Sequence, residues 1–136
     1  MAKKPKAYVL DTWAVIAYLE DEPSAQQIAD LIATAHEDAI PVYMTVVNAG
    51  EVWYTIAREV SEEDANGSIK ELRDLRIQFI DADWELTQEA ARFKSQNKMS
   101  YADCYAAALA KSYKADLVTG DGEFKAVESE VKIQWV

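Results

Sequence analysis

The sequence has few of the residues that hold disulfides or soft metal ions. Its 136 residues include one cysteine, Cys104, and one histidine, His36. A single cysteine excludes an intramolecular disulfide and suits a reducing compartment. One cysteine and one histidine cannot build a zinc site by themselves. We therefore expect any metal bound by this chain to be a hard cation on carboxylates, Mg²⁺ or Mn²⁺.

Long apolar runs and an excess of basic residues are also missing. No hydrophobic stretch approaches the roughly 20 residues that cross a bilayer. Asp11 splits the apolar region after the basic N-terminus, so we interpret that region as strand, turn and helix instead of a signal peptide. This predicts a cytoplasmic protein with no membrane contact. The net charge of −10 argues against nonspecific coating of nucleic acid. It still permits an enzyme that acts on nucleic acid, because bound cations screen an acidic centre locally.

Short apolar runs alternate with helical patterns along the chain, without repeats or linkers. The predicted strands cover 7–10, 40–44, 77–80 and 116–119, and 132–136 is a candidate edge strand. The predicted helices include 12–19, a helix capped by Thr45, one beginning at Ser61, one over 83–97 and one capped by Ser100. The alternation predicts one α/β domain over residues 1–136, with a central, mostly parallel sheet between two helical layers.

Two predicted strands end at an aspartate. Asp11 closes AYVLD, and Asp121 follows the strand in LVTGDGEF, with Glu123 close behind. Ligands of parallel sheets lie beyond the carboxyl ends of the strands, so both residues are expected at one edge. Each also has a simpler interpretation: Asp11 could only cap a helix, and Asp121 between two glycines could only form a turn.

Two more acidic residues lie within predicted helices. Glu51 belongs to TVVNAGEVWYTIA, which is apolar almost all round and therefore predicts a buried helix. A carboxylate is costly there unless it is paired or bound to a cation. Asp103 lies in SYAD, which also matches a capping box. Together the four carboxylates favour a magnesium centre that hydrolyses phosphodiesters, because their mutual repulsion makes a cluster without metal unfavourable.

Four stretches in this order resemble the PIN-domain nuclease family, in particular its VapC-type toxins: YVLDTWAVIAYL, NAGEVWY, SYADCYAAALA and LVTGDGEF. The resemblance spans Tyr8 to Val136. It implies a three-layer α/β/α PIN-like fold and a Mg²⁺- or Mn²⁺-dependent endoribonuclease that belongs to a type II toxin–antitoxin pair. It also implies a homodimer and a small cognate antitoxin that inserts a basic segment into the acidic pocket.

The resemblance assigns roles to particular residues. It implies that Asp11 and Asp103 are the principal metal ligands, with Asp121 and Glu51 completing the catalytic pocket. It further implies that Asn48 and Thr119 orient water or a ligand. One position departs from the family pattern, because many relatives carry a basic residue directly before the final aspartate, where this chain has Gly120.

Other interpretations remain open. A haloacid-dehalogenase-like phosphotransferase needs a second aspartate two residues after the first, where Trp13 stands. A receiver domain needs paired acids after its first strand, and VLDTW has none. A catalytically silent PIN-like module that binds RNA or protein is the remaining alternative. The aromatic residues Trp13, Trp53, Tyr54 and Trp84 could stack on bases, but their helical spacing favours the core or a dimer surface.

Overall fold

The computed structural model describes residues 4–136. Its strands are β1 (Tyr8–Leu10), β2 (Val42–Thr45), β3 (Gln78–Ile80), β4 (Asp116–Thr119) and β5 (Ile133–Trp135). Its α-helices are α1 (Thr12–Leu19), α2 (Ala25–Glu37), α3 (Val46–Glu59), α4 (Glu62–Asp74), α5 (Trp84–Gln96) and α6 (Tyr101–Tyr113). A 3-10 helix, Gly122–Val127, follows β4. The predicted alternation is confirmed, and the candidate edge strand forms. The single-domain prediction for 1–136 stays a prediction, and residues 1–3 lie outside the described part.

Within residues 4–136, five strands form one sheet in the order β3-β2-β1-β4-β5. Every strand pairing in this sheet is parallel. The chain runs outward from β1 through β2 to β3 and then returns to place β4 on the other side of β1. The point where the order reverses therefore lies between β1 and β4. In open parallel sheets this is where ligands bind, beyond the carboxyl ends of the strands.

The sheet separates two hydrophobic layers. Successive strand residues point to opposite faces, so Val9 and Leu117 pack with α5 and α6. Leu10 and Val118, the next residues along the same strands, pack with α1 to α4 on the other face. This arrangement confirms the α/β/α prediction. No helix in residues 4–136 is long and apolar enough to cross a membrane.

The helix ends follow from local side-chain chemistry. The hydroxyls of Thr45 and Ser100 accept hydrogen bonds from the N–H groups of Asn48 and Asp103, so both predicted caps are confirmed. At the opposite ends of helices, non-glycine residues adopt the left-handed conformation, for example Ala39 with φ 58°. These reversals return the chain to the sheet without glycine.

Candidate active site

Asp11 lies at the carboxyl end of β1 and is fully buried. Its Oδ1 accepts the N–H of Ala14 at 2.8 Å and so caps helix α1. Its Oδ2 accepts the hydroxyl of Thr119 at 2.6 Å, across the point where the strand order reverses. Burial raises the pKa of Asp11 to about 7, against the lowering effect of these two hydrogen bonds. The charges of Asp103 and Asp121 are smaller contributions to this same increase.

Thr119 ends β4 and connects the two central strands. Besides donating to Asp11, its hydroxyl accepts the N–H of Asp121 at 3.0 Å. The hydroxyl therefore fixes the start of the loop that carries Asp121. Thr119 is itself fully buried, so it acts on the site by holding two aspartates in place.

Asp103 occupies the first turn of helix α6 and lines the site cavity. Burial raises the pKa of its carboxyl to about 6, while hydrogen bonding from the Ser100 side chain opposes the shift. The charges of Asp121, Glu51 and Glu123 add to the increase. The helix cap itself is Ser100, which accepts the N–H of Asp103. This bond is one half of the predicted capping box, and the Asp103 carboxylate lines the cavity as well.

Asp121 and Glu123 follow β4 at the start of the 3-10 helix. The Oδ1 of Asp121 accepts the N–H of Glu123 at 3.0 Å, so this aspartate also caps a helix. Asp103, Asp121 and Glu123 each offer a carboxylate oxygen, and these oxygens lie within 4.8 Å of one another. The sequence interpretation did not assign Glu123 to the site. The available signal was its position two residues after Asp121, which becomes informative only once the 3-10 turn is known.

Glu51 reaches the same cavity from helix α3. The expectation that α3 is buried all round is wrong, because Tyr54 is 46% exposed and Glu51 is only partly buried. The exposure of Tyr54 and Trp53 costs little free energy, because each of these aromatic side chains has a polar atom that forms a hydrogen bond. The Tyr54 hydroxyl donates to Glu51 Oε2 at 3.3 Å, and Trp53 Nε1 donates to Asn66 at 2.9 Å. Within residues 4–136, the 4.8 Å group includes neither Glu51 nor Asp11.

Asn48 is fully buried and its amide is committed to the protein. Its Nδ2 donates to the hydroxyl of Thr12 and to the carbonyl of Ala102, both at 3.1 Å. Its Oδ1 accepts the hydroxyl of Thr45 at 2.6 Å. Asn48 therefore braces helices α1, α3 and α6 around the site. Both amide hydrogens have protein acceptors, and the ligand-orienting role that the family resemblance implied stays a prediction.

The site concentrates carboxylates at the amino ends of helices. Asp11 caps α1, Asp103 lies in the first turn of α6 and Asp121 caps the 3-10 helix. The partial positive charge at a helix amino end favours anions and offsets part of their repulsion. Among residues 4–136, no ion pair joins these carboxylates, Glu51 or Glu123 to a basic side chain. Oxygen donors without a protein cation fit Mg²⁺ or Mn²⁺.

Asp103, Asp121 and Glu51 line a cavity of about 730 Å³. Its other wall is formed by Trp13, Ile16, Ala17 and Pro23. The indole of Trp13 lies against Gly120, where an added Cβ would be 2.5 Å from Cζ3 and 2.6 Å from Cζ2 of the ring. Gly120, where the family resemblance implied a basic residue, is thus covered by the Trp13 ring. Trp13 and Trp84 are 37% and 70% exposed, so of the two expected places, the core or a dimer surface, the core does not hold for them.

Comparisons with known proteins agree with this architecture. The family model for the PIN domain matches residues 8–130. The chain therefore belongs to the PIN domain family, and the resemblance seen in the sequence is confirmed. No curated protein matches the sequence significantly.

Solved structures with a similar fold come from toxin–antitoxin systems. VapBC2 from Rickettsia felis bound to a promoter DNA fragment is 18% identical, with a TM-score of 0.75 and coverage of 96% of this chain and 98% of that chain. VapC20 from Mycobacterium tuberculosis, a sarcin–ricin loop cleaving toxin, is 16% identical, with a TM-score of 0.70 and coverage of 89% and 95%. VapBC-1 from nontypeable Haemophilus influenzae is 18% identical, with a TM-score of 0.72 and coverage of 95% and 97%.

Proposed function

We propose that this protein is a metal-dependent endoribonuclease and the toxin of a type II toxin–antitoxin pair. The observation that carries the proposal is the convergence of Asp103, Asp121 and Glu123, without a basic partner, next to Asp11, which Thr119 links to the Asp121 backbone where the strand order reverses. Carboxylates this close together, one of them buried, repel one another and become favourable around a cation. The chain's membership of the PIN domain family supports the nuclease class.

Asp103, Asp121 and Glu123 are the residues that would hold Mg²⁺ or Mn²⁺ directly. Asp11 is a further ligand candidate, because an ionised carboxylate has about four acceptor positions and its hydrogen bonds use two. A bound divalent ion supplies an activated water and neutralises charge on the phosphate. Glu51, which lines the α3 side of the cavity and accepts the Tyr54 hydroxyl, would orient that water.

The similar structures support a substrate class and a partner for this protein. A toxin that cleaves the sarcin–ricin loop favours RNA as the substrate class here. The toxin–antitoxin complexes support a small antitoxin as the partner, and the net charge of −10 suits a basic segment of that antitoxin. Such a system acts in the cytoplasm, which is where we place this protein.

The first prediction is that purified protein cleaves single-stranded or structured RNA only with Mg²⁺ or Mn²⁺ present. EDTA should reduce cleavage to background, and so should Asp103→Asn, because it removes one ligand charge with little change in shape. Gel analysis of end-labelled RNA measures both effects. Asp81→Asn is the matched control, since it removes an exposed carboxylate outside the cavity and should leave cleavage unchanged.

This assay also separates the enzyme from a silent PIN-like module. A silent module would bind RNA or a protein equally well before and after Asp103→Asn, with no cleavage in either case. EDTA-resistant cleavage would contradict the metal mechanism. Co-expression with the product of a neighbouring short reading frame tests the antitoxin, which should relieve growth arrest caused by the wild-type protein.

A further inference from the structure

One side of the cavity beside the acidic group is lined by apolar residues that have no role in the proposed hydrolysis. Trp13, Ile16 and Pro23 line the cavity together with the carboxylates. Its volume of about 730 Å³ falls in the range of roughly 300–1,000 Å³ that holds whole small ligands. The space therefore has room for more than a metal ion and one phosphate group.

The indole of Trp13 is held flat against the backbone at Gly120. The three ring atoms nearest to a Cβ built on Gly120 are Cη2, Cζ3 and Cζ2, and Cη2 is the closest of the three. If the added Cβ lay in the plane of the ring beyond its edge, it would be clearly farther from Cζ3 and Cζ2 than from Cη2. Its distances to the three atoms are instead similar, so Gly120 lies over the face of the ring. Only glycine leaves room for this contact.

Gly120 covers one face of the ring at its outer atoms, while Trp13 as a whole is 37% exposed and lines the cavity. Trp13 is two residues after Asp11, and Gly120 directly precedes Asp121. The ring is therefore linked to two backbone segments that carry site carboxylates: through its own chain to Asp11, and through its contact with Gly120 to Asp121. When a substrate phosphate reaches those carboxylates, a planar group next to that phosphate would contact the Trp13 ring.

The affinity of this cavity for a substrate must come from contacts other than those with basic side chains. The described residues that line the cavity include no lysine or arginine. Stacking of a base on an aromatic ring supplies affinity without charge, and it tolerates any base because every base has a flat π face. A side chain of a protein partner could also contact the ring, but the neighbouring phosphate-binding chemistry favours a nucleotide.

We infer that Trp13, backed by Gly120, stacks on a nucleobase next to the scissile phosphate and thereby positions single-stranded RNA. This inference rests on the proposed function and adds the residue that holds the substrate base. Removing the ring should lower kcat/KM by roughly 5- to 150-fold, the range that corresponds to one lost base stack. The metal site should be unaffected by this loss.

The test is a double-mutant cycle in which one change is made in the protein and the other in the RNA. An RNA that the wild-type protein cuts at one bond is compared with versions in which each flanking base in turn is replaced by an abasic site. At one position the abasic RNA should lose the same factor as Trp13→Ala, and the two changes together should cost no more than either alone. Trp13→Phe, which keeps a flat ring, should retain most of the activity. Trp13→Leu, which keeps apolar bulk, should behave like alanine.

Two controls identify a merely structural role for Trp13. Trp84→Ala removes an exposed tryptophan outside the cavity and should leave the cycle unchanged. Stabilisation by Mg²⁺ in thermal melts should be the same in Trp13→Ala as in wild type, because the carboxylates are intact. Additive losses in every cycle would overturn the inference. So would a Trp13→Ala protein that fails only to bind its antitoxin.

A binding experiment separates this inference from the catalytic proposal. The Asp103→Asn variant is titrated with oligoadenylate and with an abasic oligomer of equal length, with and without Trp13→Ala. A Trp13-dependent preference for oligoadenylate supports stacking even if the wild-type protein cuts no RNA, in which case only the catalytic proposal is wrong. Equal binding of both oligomers by the variant with Trp13 overturns the stacking inference, whatever the cleavage assay gives.

Discussion

Asp11 combines two roles that the sequence presents as alternatives. Its carboxylate caps helix α1, and it also belongs to the converging acidic residues at the sheet edge. Asp121 does the same at the 3-10 helix. A carboxylate has enough acceptor positions to serve a backbone N–H and a cation together. A good helix cap is therefore no argument against a metal ligand.

The raised pKa of Asp11 predicts how the metal-free protein responds to pH. The folded-state value is about 7, whereas an unperturbed aspartate has 3.8. Between these values the folded protein holds a proton that the unfolded chain has released, so stability falls as the pH rises through this window. Asp103, with its pKa raised to about 6, contributes in the same direction. Thermal melts in EDTA from pH 4 to pH 8 measure the fall.

Asp11→Asn should flatten this pH dependence in part, because it removes one titrating group. Its amide oxygen can still accept the N–H of Ala14, so the helix cap is retained. The slope left in the variant belongs to Asp103 and to the other carboxyls whose pKa is raised by burial, Asp116 and Glu20. An Asp11→Asn protein that loses stability with pH as steeply as wild type would contradict the assignment. The matched Asp81→Asn variant should follow the wild-type curve.

The contact between Trp13 and Gly120 predicts strong coupling between two substitutions. In the wild-type background, Gly120→Ala forces a Cβ into the indole ring and should cost about 1–3 kcal/mol of unfolding free energy. In a Trp13→Ala background the same change should be neutral or stabilise by up to about 1 kcal/mol, because Gly120 has no left-handed backbone to strain. Urea unfolding of the four proteins measures the coupling. Equal costs in both backgrounds would show that the ring does not occupy this space.

At the scale of elements, helix α2 ends in a reversal that glycine would make more easily. Ala39 has φ 58°, and its N–H donates to the carbonyl of His36 while Ile40 donates to that of Ala35. These are the two hydrogen bonds of a Schellman ending. Ala39→Gly should stabilise the protein by about 0.5–1 kcal/mol, since relief of the left-handed strain exceeds the added chain entropy of glycine.

The matched control is the same substitution inside the same helix. Ala33 is exposed on α2 in ordinary helical backbone, so Ala33→Gly should destabilise by about 1 kcal/mol. Opposite signs for the two variants in thermal or urea unfolding would confirm the reversal. A loss of stability in both would mean that position 39 does not need left-handed backbone.

At the scale of the whole molecule, exposed aromatic surface and family resemblance predict a homodimer. Trp84 is 70% exposed, and tryptophan is enriched in protein interfaces. Size-exclusion chromatography with light scattering at micromolar concentration should give twice the chain mass of 15.3 kDa. A mass that stays at one chain over this concentration range would contradict the dimer.

Much of the fold and part of the site could be predicted from sequence because their signals are local. Apolar runs, helical spacing and the capping residues Thr45 and Ser100 act over a few neighbours, so strands and helices fall where their pattern places them. The positions of Asp11 and Asp121 directly after strands follow from the same signals. Parallel strands then bring such positions to one edge of the sheet.

The tertiary structure alone decided which of these groups meet. Thr119 binds Asp11 across 108 residues of chain, and the ring of Trp13 covers Gly120 from a distant helix. Asn48 could not be separated from a ligand-binding residue until its partners on α1 and α6 were known. The turn of the 3-10 helix brings Glu123 into the acidic group. Such contacts depend on the packing of elements far apart in sequence, and no local pattern encodes that packing.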